Sequence, residues 1–164
     1  PSGAPGQLTA TPISDARQVA NVLRTYVLGA ARGLSRLFWY RYDWGTVANG
    51  GTLGNTLLAT PNAYDQITPA GQALGTAQAW LQGRLVGTDG RPPCSQNARG
   101  TYSCTVRYPG GVRRIYWNPN HNVRVPLPVG AVSRQTGLGA PRTVGRGDTS
   151  VHVSYQPVMV DSPR

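Results

Sequence analysis

The chain has 164 residues, enough for one ordinary domain or two small ones, and 39% of them are hydrophobic. With only 13% charged residues, this composition is that of a globular protein rather than a disordered one. Glycine (21 residues) and proline (14 residues) are more frequent than usual. We therefore expect many turns and short strands.

The charged residues are of two kinds only. All 16 basic residues are arginine and all 6 acidic residues are aspartate, a bias that a GC-rich coding sequence produces and that weakens any inference from the net charge of +10. A nucleic-acid-binding surface usually gathers its cations on one face. Here arginine is scattered from Arg17 to Arg164, and the adjacent Arg113 and Arg114 would point to opposite faces of a strand. Ordinary surface charge is favoured, and no nucleic-acid partner is predicted.

No run of about 18 apolar residues is present, so no membrane span is predicted. The N-terminal sequence PSGAPGQLTATP lacks the apolar core of a signal peptide. Because the first residue is proline, we expect the chain to begin inside a longer reading frame or after processing, with any export signal upstream.

The two cysteines, Cys94 and Cys104, lie in a predicted turn and in the strand that follows it. A disulfide that closes this loop is the favoured interpretation and implies an oxidising compartment. Two unpaired buried thiols are the alternative. Two cysteines without a neighbouring histidine make a poor zinc site, and neither a metal nor a cofactor is predicted.

Residues 14–32, SDARQVANVLRTYVLGAAR, carry the one-sided apolar stripe of an amphipathic helix. The stripe consists of Val19, Val22, Leu23, Tyr26, Val27 and Ala30. Ser14 is a suitable N-cap, Asp15 favours the positive end of the helix dipole, and Gly33 supplies a left-handed stop.

Residues 34–44, LSRLFWYRYDW, are rich in aromatic and branched side chains over the length of a strand. The segment is apolar on both faces and directly follows a helix. It is therefore predicted to be a buried parallel strand of an α/β layer or barrel.

Residues 45–66 form a long connection rich in Gly, Asn and Thr, of a length that is uncommon unless a loop has a function. A second helix is predicted to start at Thr68, with Pro69 at its first position, and to continue through Leu81. Gly83 ends it.

Beyond Arg84 the β-prone segments are short and separated by Gly, Pro or Asn. They are residues 101–108, 112–118, 122–127, 131–136 and 151–160. The Pro109-Gly110-Gly111 break predicts a hairpin. Strands at this spacing without intervening helices indicate a small antiparallel β-sandwich, with a domain boundary near residue 84.

Three motifs of the first half stand in an order that is typical of one enzyme group. A helix rich in Gln and Ala comes first, in residues 15–20. The pattern GhxRhFWYxxD, where h is apolar, is met by Gly33, Leu34, Arg36, Leu37, Phe38, Trp39, Tyr40 and Asp43. The TPAG start and WLxG end of a last helix are met by Thr68, Pro69, Ala70, Gly71, Trp80, Leu81 and Gly83. Over residues 14–83 the chain resembles the end of the catalytic barrel of clan A glycoside hydrolases, which include β-xylosidase-like, cellulase-like and arabinofuranosidase-like enzymes.

The resemblance implies a fold of the class α/β plus all-β. Residues 1–83 would be the last helix, strand and helix of a (β/α)8 (TIM) barrel, and residues 84–164 an accessory antiparallel β-sandwich. A whole barrel needs about 250 residues. Retaining glycosidases use two carboxylates about 5 Å apart, and in this clan both are glutamates on the fourth and seventh strands. Since the chain has no Glu, no catalytic residue is predicted within it, and we expect it not to hydrolyse glycosides alone.

The resemblance also implies a sugar-binding role for Trp39, because the aromatic residue in its position forms the floor of the subsite for the sugar to be cleaved. Functional residues of such barrels come from the C-terminal ends of strands and the loops beyond. Further candidates are therefore Tyr42, Asp43, Trp44, Tyr64 and Asp65. The alternative is that the aromatic residues of this segment pack in the core.

His121 and His152 have no base, nucleophile or second ligand in reach by sequence and are predicted to be structural. Trp117 is interpreted as a sandwich core residue, with a sugar platform as the alternative. The favoured function is the C-terminal part of a glycoside hydrolase that is secreted or associated with the cell envelope, with a carbohydrate substrate and the remaining barrel portion as partners. The alternatives are a non-catalytic carbohydrate-binding or cell-wall-associated module and a basic binder of nucleic acid or anionic surfaces. Arabinan, xylan, glucan and glycolipid are all open as substrates.

Overall fold

The computed structural model describes residues 13–39, 58–60, 63–87 and 92–163. Two helices and eleven strands lie within these ranges. The helices are α1 (Asp15–Ala31) and α2 (Pro69–Trp80). The strands are β1 (Ala59–Thr60), β2 (Ala63–Ile67), β3 (Arg84–Leu85), β4 (Cys94–Gln96), β5 (Tyr102–Tyr108), β6 (Gly111–Trp117), β7 (Val123–Pro126), β8 (Ser133–Thr136), β9 (Arg142–Thr143), β10 (Ser150–Val153) and β11 (Val158–Pro163).

The strands form one large and two small sheets, all antiparallel. Strands β3, β5, β6, β11, β8 and β9 are neighbours in this order, and β4 adds to β5 to complete seven strands. Strands β7 and β10 pair as a separate two-stranded sheet, as do β1 and β2. The described chain is thus mostly antiparallel sheet with two helices, which is a β-sandwich-like arrangement.

The large sheet buries both of its faces. On one face Ile115 and Trp117 of β6 belong to a buried cluster with Leu23 of α1 and Trp80 of α2. On the other face Tyr116, Val158 and Val160 pack with Val151 and Val153 of β10. This alternation follows from the two-residue period of a strand, which sends successive side chains to opposite faces. The helices and the small sheet β7–β10 therefore cover opposite sides of the large sheet.

The predicted first helix is confirmed, and its apolar stripe faces the core: Val19, Val22, Leu23 and Val27 are buried. Its C-terminus is closed by the amides of Gly33 and Leu34, which donate to the carbonyls of Ala30 and Gly29. Gly33 has the positive φ of 75° that this Schellman arrangement favours.

The N-terminus of α1 differs from the prediction. Ser14 occupies the N-cap position, but its side chain makes no capping hydrogen bond. Its backbone carbonyl instead accepts from the amides of Arg17 and Gln18, at 2.9 and 3.0 Å.

Helix α2 begins as predicted, with Thr68 as N-cap and Pro69 in the first turn. The Thr68 hydroxyl accepts from the amide of Gly71 at 3.1 Å, and the Thr68 amide donates to the carbonyl of Leu58 at 3.0 Å. A Cβ at Gly71 would overlap the Leu58 carbonyl oxygen. The glycine of the TPAG motif is thus required by the close approach of the preceding hairpin.

Helix α2 is tied to the sheet at its C-terminal end. A guanidinium nitrogen of Arg113, on β6, donates to the carbonyls of Ala79 and Gln82 at 2.8 and 3.3 Å, where a cation is favoured by the helix dipole. The indole of Trp80 donates to the side chain of Gln135 on β8 at 2.9 Å. The core is therefore shared across residue 84, and the division into two domains there stays a prediction.

The disulfide predicted between Cys94 and Cys104 is present. The two residues lie directly opposite each other on β4 and β5. The predicted hairpin is also present, since Pro109 and Gly110 connect Tyr108 and Gly111, which are paired at the ends of β5 and β6.

Two predicted strands need correction. Residues 34–39 are not a strand, and residues 40–44 lie outside the described residues. A buried parallel strand needs neighbours for its backbone groups, and the described chain places none beside residues 34–39. The strand expected over residues 151–160 is two strands, β10 and β11, which enter different sheets. The break falls at residues 154–157, where Pro157 has no amide to donate.

In the connection 45–66, the structure describes residues 58–60 and 63–66. There β1 pairs with both ends of β2, with Thr60 opposite Ala63 and Ala59 opposite Ile67. Neither described helix is long and apolar enough to cross a membrane.

We expect Gly71→Ala to lower the free energy of unfolding by about 1–3 kcal/mol, because the new methyl group would overlap the Leu58 carbonyl. Gly75→Ala is the matched control on the same helix, where a Cβ meets nothing within 4 Å. That change should raise the free energy of unfolding by about 0.5–1 kcal/mol. Urea denaturation followed by circular dichroism measures both. Equal effects of the two changes would contradict the close approach.

Reduction of the disulfide should lower the free energy of unfolding by about 2–3 kcal/mol, because the open loop gains entropy in the unfolded chain. The measurement is urea denaturation with and without dithiothreitol. The double variant Cys94→Ala/Cys104→Ala should be insensitive to the reductant. An unchanged midpoint in a sample whose two thiols are shown to be free would count against the prediction.

Candidate functional site

The candidate site is the segment that follows α1 and ends at Trp39. The Tyr26 hydroxyl donates to the carbonyl of Leu37 at 3.4 Å, and the rings of Tyr26 and Trp39 stack with centroids 6.2 Å apart and planes 24° apart. Gly29 leaves room for the Leu37 side chain against the helix, since a Cβ there would lie 2.9 Å from a Leu37 methyl carbon. The segment is thus folded back onto α1.

The aromatic residues of this segment differ in exposure. Trp39 is half-buried and packs against the core cluster that contains α1 and α2. Phe38 is 86% exposed, and Leu34 is 57% exposed. The Phe38 side chain is therefore not part of the core, and only part of the Trp39 side chain packs there. Together Phe38 and Trp39 form an aromatic surface, which we call the Trp39 surface.

Tyr26 of α1 packs against this surface through its stack on Trp39. Its hydroxyl donates to the Leu37 carbonyl, and burial raises the pKa of the phenol from its ordinary value. A stacked aromatic neighbour and a hydrogen bond to the segment both restrict the orientation of the Trp39 ring.

The other predicted site residues are not brought together with Trp39 by the described structure. Tyr42, Asp43 and Trp44 lie outside the described residues. Tyr64 and Asp65 are in β2, and the structure does not describe their side chains. Their roles in sugar binding stay predictions.

Trp117 is a core residue, as interpreted from the sequence. It is 1% exposed and stacks on Tyr102, with centroids 4.8 Å apart and planes 5° apart. His121 and His152 are exposed. Among the described residues, no group of three or more His, Cys, Asp or Glu side chains could hold a metal ion.

The sequence reasoning missed a polar groove where α1 meets the edge of the large sheet. Asn21, Arg24, Thr25, Leu28, Tyr102, Trp117 and Pro119 line its first part, of about 380 Å³. Leu28, Ala31, Arg32, Pro92, Cys94, Ser95, Gln96 and Tyr102 line the adjoining part, of about 220 Å³. We call the two parts, which share Leu28 and Tyr102, the seam groove. The helical spacing of Asn21, Arg24, Leu28 and Arg32 could have indicated one wall of it.

A second groove of about 400 Å³ lies between β8, β9 and β10. Arg134 and Arg142, a directly opposite cross-strand pair, line it together with His152. A carboxylate oxygen of Asp148 lies 3.9 Å from the Arg134 guanidinium. Part of the positive charge of this groove is therefore neutralised within the chain.

Comparison with known proteins gives one informative result. No family model matches the chain, and no curated protein matches it. Among solved structures, a GH30 endoxylanase from Clostridium papyrosolvens C71 is similar, with a TM-score of 0.53 and 11% sequence identity. The match covers 89% of this chain and 38% of the endoxylanase chain. At this identity the similarity shows a related fold.

Proposed function

We propose that the chain is the C-terminal part of a secreted glycoside hydrolase, to which it contributes sugar-binding aromatic residues but not the catalytic carboxylates. The observation that carries the proposal is the fold similarity to an endoxylanase over 89% of the chain. The two sequences are only 11% identical, so the similarity is one of fold.

The fraction of the endoxylanase that is matched supports the proposal that this chain is one part of a larger enzyme. Only 38% of that chain is covered, so the proposal assigns residues 1–83 to the end of a (β/α)8 barrel whose remaining portion is a separate stretch of polypeptide.

The Trp39 surface is the proposed sugar contact. A flat aromatic ring offers an apolar face to the C–H groups of a sugar ring, and a half-buried ring held by Tyr26 presents that face in a fixed orientation. Asp43 would accept hydrogen bonds from sugar hydroxyls or hold Arg41, and Tyr42 and Trp44 would extend the contact. Which glycan is bound depends on the barrel loops.

Hydrolysis in the proposed clan uses a pair of glutamates that the chain does not have. Glycoside cleavage with retention needs an acid/base and a nucleophile, both carboxylates, about 5 Å apart. The chain has no Glu. Two of the aspartates that the structure describes make other contacts: Asp161 accepts from the Tyr108 hydroxyl, and Asp148 is near Arg134. In the proposal the glutamates come from the barrel portion. The Cys94–Cys104 disulfide fits export to an oxidising compartment.

A second candidate function is a non-catalytic carbohydrate-binding or cell-wall-associated module. The observation that favours it is the exposure of the aromatic segment: Phe38 is 86% exposed beside Trp39. Such a surface binds sugars without any carboxylate pair.

Sugar binding at the Trp39 surface predicts a change in tryptophan fluorescence when xylan, glucan or arabinan oligosaccharides are added. Trp80 and Trp117 are 2% and 1% exposed and should contribute little to it, so the change reports on Trp39 and Trp44. Trp39→Leu keeps an apolar side chain against Tyr26 but removes the flat ring, and it should weaken binding by about tenfold, or about 1.4 kcal/mol. Phe38→Leu, on the same surface, should have a smaller effect and weaken binding by less than about threefold, since in the proposal Trp39 is the main sugar contact. Unchanged affinity in Trp39→Leu would reject this surface.

The hydrolase and module proposals differ in the size and activity of the native protein. An antibody against this chain, applied to medium and cell-envelope fractions of the source organism, should detect a polypeptide much larger than 17.5 kDa that cleaves aryl glycosides. The purified chain alone should show no turnover. A native protein of the size of this chain would support the module, and turnover by the purified chain would contradict the assignment of the carboxylates to the barrel portion.

A further inference from the structure

The seam groove has an arginine that is half-buried and only partly satisfied. The guanidinium of Arg24 donates to the carbonyl of Ala20 at 3.1 Å and to the side-chain oxygen of Asn21 at 2.7 Å. Both acceptors are neutral. Burial, and then the charge of Arg17, lower the pKa of Arg24, and Tyr102 opposes this in part. The charged form is thus less well stabilised than in water.

The carboxylates that the structure describes are placed elsewhere. Asp15 stands at the exposed start of α1, Asp148 lies near Arg134, and Asp161 accepts from Tyr108. None of these three lines the seam groove. Arg32 adds a second positive charge further along the same wall. Within the described residues, the groove is therefore positively charged and has no carboxylate of its own.

The remaining wall of the groove suits a sugar chain. Tyr102 is partly exposed between the two parts of the groove, and its ring is held by the stack on Trp117. Asn21 and Thr25 on one side, and Ser95 and Gln96 on the other, offer hydroxyl and amide groups that can pair with sugar hydroxyls. At a helix rise of 1.5 Å per residue, the wall from Asn21 to Arg32 is about 16 Å long, which accommodates several sugar units.

We propose that the seam groove is a second carbohydrate-binding site, which takes a glycan chain that bears carboxylate groups. Arg24 and Arg32 bind the carboxylates, since a guanidinium can hold a carboxylate through two parallel hydrogen bonds. Tyr102 packs on the sugar ring between them. A nucleic acid fits less well, because phosphate tracking draws on many cations, whereas neutral polar side chains outnumber the two arginines here. The site shares no residue with the Trp39 surface.

Calorimetric titration of the whole chain with polygalacturonate oligosaccharides tests this proposal. Arg24→Gln removes the charge but keeps a long helix-compatible side chain, and it should weaken binding by about tenfold. The matched control Arg142→Gln makes the same change in net charge at an exposed position outside the groove and should weaken binding by less than about twofold. Tyr102→Leu keeps an apolar cover over Trp117 and should also weaken binding. Circular dichroism tests whether each variant is folded. If Tyr102→Leu does not fold, the result for Arg24→Gln decides the test.

Four results would overturn the proposal. The first is that the unaltered chain does not bind polygalacturonate, and the second is that Arg24→Gln and Arg142→Gln weaken binding equally. The third is that neutral xylan oligosaccharides bind as tightly as polygalacturonate and with the same dependence on Arg24. The fourth is that single-stranded DNA binds as tightly and with the same dependence on Arg24. Binding at the Trp39 surface is followed with neutral oligosaccharides and binding in the seam groove with polygalacturonate, and the two sites share no residue. The seam groove and the Trp39 surface can therefore fail independently of each other.

Discussion

The structure depends on two adjacent strands, β6 and β11, that are buried on both faces. Ile115 and Trp117 face the helices, while Tyr116 faces the small sheet, and Met159 and Val160 of β11 divide in the same way. A shift of one residue in the register of this pair would send the side chains of one of the two strands to the wrong layer. The positions of the helices and of the sheet β7–β10 therefore follow from the register of one strand pair.

Helices α1 and α2 lie close to each other because the contact residues of α2 are small. Ala70, Ala73 and Ala77 of α2 are all fully buried, which lets the two helices approach each other. The turn after α2 also requires a small residue, because a Cβ at Gly83 would overlap the carbonyl of Arg107 on β5. Hydrogen bonds from Arg113 and Trp80 then fix the end of α2 on the sheet. The helices are held by the sheet that follows them, although the sequence assigns them to a barrel.

Local signals explain which parts of the fold could be predicted. The stripe of α1, the stop at Gly33, the Thr68-Pro69 start of α2 and the Pro109-Gly110 turn each depend on a few consecutive residues, and each is present. The split of residues 151–160 into two strands was not predictable in the same way. It depends on the pairing of β10 and β11 with two different sheets. The connection is held by the amides of Asn118 and Gly137, which follow β6 and β8 of the large sheet and donate to the carbonyls of Ser154 and Pro157.

The same reasoning separates the two candidate sites. Trp39 was predicted because a contiguous motif contains it, although a strand there requires neighbours that the described chain does not place beside it. The seam groove was not predicted, because Arg24 and Tyr102 are far apart in sequence and meet only after α1 has packed on the large sheet. Contiguous patterns reveal sites of the first kind. Helical spacing in a single sequence could indicate one wall of the second kind, but not the strand residues opposite it.

Both candidate sites present an aromatic ring that is stacked on a second aromatic ring. Trp39 stacks on Tyr26, and Tyr102 stacks on Trp117. A ring that is already held in place loses little conformational freedom when a sugar packs against it, so more of the contact energy appears as affinity. One helix, α1, contributes to both arrangements, through Tyr26 and through Arg24. Because α1 is fixed by its buried stripe on the sheet, the core that stabilises the fold also sets the orientation of the residues proposed to bind sugars.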